Sequence, residues 1–236
     1  MAEALILPEH ISPEAAFQGW RKYVQQYTTC DLLSGRDKLP EISDLAAVFQ
    51  KQFPRGSRPT YLAGIWREDI NPSLLWRRDK RHVAQERPRD AMVPSWSWAF
   101  WNGPILFEAE DILAESKIKV CDASTELAER DYPFGRVLWG HLKLEGMVLL
   151  YAALLTAKQR QDTLPAPEIH LDDDGYFPEN DCLLLVNDRA GLLLQFTGPA
   201  TARWCRRFGM CKGPKDIDLD YWDFYAALTR MTLSIS

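Results

Sequence analysis

The hydrophobic period changes along this chain, and that change restricts the fold more than any other feature. Behind Ser12-Pro13-Glu14, the residues Phe17, Trp20, Val24 and Tyr27 recur at three-to-four spacing. That is one aromatic helix face, entered through a hydroxyl cap, a first-turn proline and an acid at the positive helix end. After a turn around Ser34-Gly35, Leu39, Ile42, Ala46, Phe49 and Phe53 predict a second amphipathic helix ending before Pro54. Tyr61 to Trp66 reads as a third, short helix.

From Pro94 onward the period is two. Trp96 and Trp98 alternate with Ser95, Ser97 and Ala99, which predicts a strand whose serines face away from its tryptophans. Ile105 to Phe107 and Ile118 to Val120 are short strand candidates. In Val137 to Leu150, residues Leu138, Leu142, Leu144 and Val148 share a parity with Gly140 and Gly146, and glycines inside a strand predict a bulge or bend. Cys182–Val186 and Leu192–Phe196 flank a hairpin turn, and Met231–Ile235 supplies a last strand. Loops are expected over 77–93, 126–134, 156–167 and 210–220. The pattern assigns the α+β class in a single domain, 1–236. A helical lobe over 12–76 packs on an antiparallel sheet or small barrel formed by 94–236.

Composition removes several functions. The formal net charge is -5, which offers nucleic acid and anionic lipid no overall attraction. No window approaches the ~20 apolar residues of a membrane helix, and the first ten residues lack the basic run of a signal peptide. The 5 cysteines are scattered without a CxxC pair, against both a disulfide framework and a zinc site. A reducing, cytoplasmic setting is expected.

Four segments, in one order over roughly 17–150, then resemble a known family. Trp20, Val24 and Tyr27 followed by Asp37-Lys38-Leu39-Pro40, Ile42 and Ala46 are the first. Tyr61-Leu62-Ala63-Gly64-Ile65-Trp66 with Leu74-Leu75-Trp76 is the second. Pro94-Ser95-Trp96-Ser97-Trp98-Ala99 is the third, and Gly140-x-Leu142-x-Leu144-x-Gly146 the fourth. Together they resemble the region that follows the catalytic-type segment of fungal heterokaryon-incompatibility (HET) proteins. The Tyr27–Leu33 link lacks the arginine usual there, and the HET segment itself is absent from this sequence. The resemblance implies a fungal lineage and a fold. It carries no activity across.

Chemistry is sparse. His170-x-Asp172-x-Asp174-Gly175 with Asp181 has calcium-loop offsets, but its first and last ligands are wrong, so a polar turn is the preferred reading and no metal is expected. Arg77-Arg78-Asp79-Lys80-Arg81-His82 reads as a solvated loop rather than an anion site. Arg206-Arg207 near Trp204 suits either a solvent-facing strand edge or a cation–π pair. Cys182 reads as an inert core thiol. Asp37 either caps the second helix or acts as an acid–base group. His141 is either a surface histidine or a buried one with a partner.

Two functions therefore stay open. In the first, the barrel binds an apolar small molecule of fungal secondary metabolism and extends to a cofactor-free cyclase, isomerase or dehydratase. Trp66, Trp76, Trp96, Trp98 and Trp101 then form the ligand wall, and Asp37 and His141 act as acid–base groups, with Glu108 and Asp111 behind them. In the second, the chain is a non-catalytic module that binds or regulates a HET-type protein.

Overall fold

The computed structural model describes residues 11–30, 38–82, 93–108, 115–150, 167–172, 181–198, 203–213 and 228–236. The fold is α+β. The chain forms two compact units, each assembled from separate stretches: 1–74, 78–107 and 123–140 in one, 75–77, 108–122 and 141–236 in the other. The division therefore does not fall where the hydrophobic period changes.

In the first unit, α1 (Pro13–Tyr27) starts as its sequence dictates. The Ser12 hydroxyl accepts from the Ala15 amide at 3.3 Å, and Pro13 fills the first turn. Phe17, Trp20 and Val24 form its buried face, and Leu39, Ile42, Ala46 and Phe49 form that of α2 (Lys38–Lys51). The two faces meet through aromatic rings: Phe17–Phe49 at 6.0 Å and Trp20–Phe49 at 5.3 Å between centroids. Each such pair contributes about 0.5–1.5 kcal/mol beyond its buried area.

The segment Tyr61 to Trp66 is not a helix. It is a hairpin of β1 (Tyr61–Leu62) and β2 (Ile65–Trp66). Its two turn residues, Ala63 and Gly64, have φ of 45° and 96°. Two successive positive φ values match the right-handed twist of a hairpin, and no helix contains them. α3 (Ile70–Ser73) follows, held to α1 where Asp69 takes the Arg21 guanidinium and, at 2.8 Å, the Ser73 hydroxyl.

The segment Pro94 to Trp98 is not a strand either. It is a turn entering a short 3-10 helix, Trp98–Phe100. Ser97 caps that helix, its Oγ accepting from the Ala99 amide at 3.1 Å. Ser95 and Ser97 are as buried as Trp96 and Trp98, so the expected two-sided polarity is absent. A capping serine three residues after a proline outweighs an alternation only a few residues long. Two short strands, β3 (Trp76–Arg78) and β4 (Ile105–Phe107), flank this stretch in sequence.

The second unit holds a closed ring of strands. β5 (Lys119–Leu127) leaves it for the first unit, and β6 (Val137–Leu150) returns. β7 (Glu168–Leu171), β8 (Asp181–Leu185), β9 (Ala190–Phe196), β10 (Trp204–Lys212) and β11 (Thr229–Ile235) complete it. Pairings run β6–β8–β9–β10–β11 and return from β11 to β6, with β7 on the free part of β10. Every antiparallel pairing reverses strand direction, so a ring with an odd number of strands needs a parallel one. That pairing is β10–β11, where Trp204 faces Ser234 and Cys205 faces Ile235.

Gly146 does not bulge β6, since the register with β11 is continuous from Leu142 to Val148. Gly140 and Gly146 both make room. A Cβ on Gly140 would stand 2.3 Å from Pro94 Cγ and 2.9 Å from Trp96 Cζ2, and one on Gly146 would stand 2.9 Å from Leu184 Cδ1. The bulge lies in β10, between Arg207 and Gly209. β10 also overturns one expectation, because Met210–Lys212 are strand rather than loop, and it decides between the open readings of Arg207, which is fully buried. At Gly209 a Cβ would stand 2.4 Å from the His170 carbonyl oxygen. Gly209→Ala is expected to separate β7 from β10 and cost about 1–3 kcal/mol in chemical denaturation, with amide exchange rising first at 168–171.

Candidate functional site

Residues from three of the four segments that carry the resemblance, Trp20, Ser97 and Trp98 with the Ala63-Gly64 turn, meet at the carbonyls of that turn in the first unit. Ser97 Oγ donates to the Ala63 oxygen at 2.6 Å. The Gly64 oxygen accepts from Trp98 Nε1 at 2.8 Å and Trp20 Nε1 at 3.1 Å. Three donors from α1 and the Pro94–Trp98 turn thus grip a turn that has no ladder partner for these carbonyls. Tyr27 packs edge-on against Trp98 at 6.0 Å, and its hydroxyl donates to the Lys38 carbonyl at 3.0 Å.

Each tryptophan expected in a ligand wall is buried. Trp66 lies among Trp20, Phe49, Tyr61 and Phe134, with centroids between 5.0 and 6.4 Å. Trp96 faces Gly140. Trp98 is engaged at the turn, and Trp101 carries the Arg78 guanidinium 4.4 Å from its ring centroid. Trp76 belongs to the second unit. The fivefold aromatic set is therefore divided between the units, and its described contacts are with other side chains and the backbone.

Next to Trp101 sits a buried amine. Lys38 Nζ donates to the Trp101 carbonyl, and burial draws its pKa down to about 8. The folded chain then releases this proton before the unfolded chain, whose lysine keeps its ordinary value of 10.5. Between those values the unfolded state binds more protons, so stability rises with pH, and the cost of the buried charge is full below the window. Lys38→Met is expected to remove this rise. The check is the difference between wild-type and variant unfolding free energies on either side of the window.

In the second unit, Arg207 Nη1 pairs with Asp172 Oδ2, and Nη2 donates to the Trp76 carbonyl. The guanidinium carbon lies 3.6 Å from the Trp76 ring centroid. Burial lowers the Arg207 pKa against the opposing pull of Asp172. Asp172, expected in a polar or calcium-loop turn, is thus tied to an arginine, and positions 173–180 lie outside the described residues. Among the described residues no group of three His, Cys, Asp or Glu side chains could hold a metal ion.

Glu108 is also committed. Its carboxylate takes Arg77 Nε at 2.7 Å and Lys212 Nζ at 2.8 Å. Burial would raise its pKa, but the Lys212 and Arg77 hydrogen bonds outweigh this and hold it below the usual carboxylate range. A carboxylate kept ionised is a poor proton donor. The basic stretch is likewise structured, with Asp79 taking Arg81 Nη2 at 2.7 Å and held at about 2 chiefly by that residue's side-chain hydrogen bonds. Among the thiols, Cys182 is buried, and burial pushes Cys211 up to about 12.

His141 projects from the outer face of β6, between the inward Gly140 and Leu142. Its Nδ1 lies 3.6 Å from Asp122 Oδ2 on β5, and its ring lies 5.3 Å from that of Trp204 on β10. An imidazole thus lies between a carboxylate and an indole that is 40% exposed. Sequence reasoning found His141 but missed both neighbours, since no local pattern links positions on three strands. Asp37 and Asp111 lie outside the described residues, so nothing places either beside His141.

No family model matches the chain, and no curated protein or solved structure matches it. Among the described residues, no helix is long and apolar enough to cross a membrane.

Proposed function

We propose that this chain is a non-catalytic interaction module of HET lineage that binds a HET-type protein. The observation that carries the reading is the turn at Ala63-Gly64, where the motif residues Trp20, Ser97 and Trp98 are spent on holding backbone carbonyls. Tryptophans engaged in this way supply a rigid scaffold rather than a wall that exchanges ligands. Calorimetric titration of the chain with a HET-type protein is expected to show saturable binding, with a thermal midpoint that rises with partner concentration. Absence of both would sink the reading.

A second reading rests on the Asp122–His141 pair beside Trp204. An imidazole near a carboxylate and next to an apolar surface suits cofactor-free proton transfer on an apolar small molecule, as an isomerase or lyase needs. Here a panel of apolar fungal metabolites is the probe. Turnover lost in His141→Ala and untouched by partner protein would favour this reading over the first.

A further inference from the structure

We propose that the outer face of the strand ring around Trp204 docks an acidic protein segment carrying apolar side chains. This rests on the interaction reading and adds the chemistry of the partner. The register across three strands sets the patch, since Lys143 on β6 faces Ser234 on β11, which faces Trp204 on β10. All three side chains share the face opposite the inward Leu142, Leu144, Leu233 and Cys205. His141 completes it, its ring tilted 45° against that of Trp204 at 5.3 Å, with Asp122 Oδ2 3.6 Å from its Nδ1.

Two properties of this face select the occupant. Most tryptophans among the described residues are buried, so an indole 40% exposed and braced from one side is a ready apolar anchor. Such rigid aromatics carry a large share of binding energy at interfaces. Around it, Lys143 and Arg203 are exposed cations, with half-buried Arg206 two residues along β10. Among the described residues the nearest carboxylate to His141 is that of Asp122, at 3.6 Å, while the next acid on this face of β6, Glu145, is paired with Arg230 at 3.1 Å. A chain of net charge -5 thus presents a locally basic rim around an aromatic centre. That combination complements acidic residues interspersed with apolar ones.

The probe is a short tryptophan-free peptide alternating glutamate with leucine and phenylalanine, titrated into the full chain. The Trp204 indole N–H is observed by NMR and assigned with Trp204→Phe. We expect saturable shifts of that signal and weakening by salt. Trp204→Ala and Lys143→Glu should each cost about tenfold or more in affinity, and both side chains are exposed enough that the fold survives. No shift, equal binding of a peptide with lysine in place of glutamate, or a preference for a single-stranded oligonucleotide would overturn the proposal. So would a HET-type partner that binds Lys143→Glu and Trp204→Ala as tightly as the wild type. That last outcome leaves the interaction reading standing, whereas failure of the partner itself to bind removes it.

Discussion

Gly64→Ala is expected to be among the most damaging single substitutions in this protein, costing about 3–5 kcal/mol. Position 64 has φ of +96°, where a Cβ is strained whatever the space around it. The space is also taken, because that Cβ would stand 2.5 Å from Trp98 Nε1 and 2.9 Å from Trp98 Cε2. Relief requires moving Trp98, which breaks its hydrogen bond to the Gly64 carbonyl and disturbs its contact with Tyr27. Urea denaturation should show the midpoint falling with an unchanged slope. Trp98→Phe separates the two effects. It keeps a ring in place and removes one donor from a carbonyl that Trp20 still reaches at 3.1 Å. Its hydrogen-bond term is about 0.5–1.5 kcal/mol. Equal costs for the two variants would mean that the turn geometry contributes nothing.

Asp172→Ala should cost a similar amount, about 3–5 kcal/mol, for a different reason. Arg207 is 0% exposed, so removing its carboxylate leaves a guanidinium in the core, still against the Trp76 ring and carbonyl but without its counter-charge. The cost lies in the charge left behind rather than in the lost contact. Removing both charges, as in Asp172→Leu with Arg207→Met, should therefore restore most of the stability. Denaturation of the two single variants and the double variant closes the cycle. A double variant as unstable as the sum of the singles would mean that these side chains matter by shape and hydrogen bonding, not by charge.

The sequence reading and the structure part company where a residue's partner is distant. Both long helices and the parity of β6 were legible, because caps and burial periodicity act within a few residues. Tyr61–Trp66 and Pro94–Trp98 were misread because both stretches are short. A run of five or six residues satisfies either period, and the choice then falls to tertiary partners. For Arg207 the sequence leaves a solvent-facing edge and a cation–π pair equally open, because the residues that make its burial tolerable are far away in sequence. At the candidate site only His141 could be picked out, from its place opposite the core leucines. Asp122 and Trp204 join it through sheet register.

What the sequence by itself determined was local: where α1 starts, which faces of α1, α2 and β6 turn inward, and that helices precede strands. Those are properties of spacing, and the hydrophobic effect acts on spacing directly. Only the tertiary structure decided that a hairpin turn would be gripped from 34 and 44 residues away by Trp98 and Trp20. It alone placed the Trp76 carbonyl on an arginine 131 residues further along. It alone closed β11 back onto β6, with one parallel seam at β10. A backbone carbonyl carries no mark of its future donor, and a strand edge none of its neighbour. Both are fixed when burial makes an unmet hydrogen bond too costly to leave.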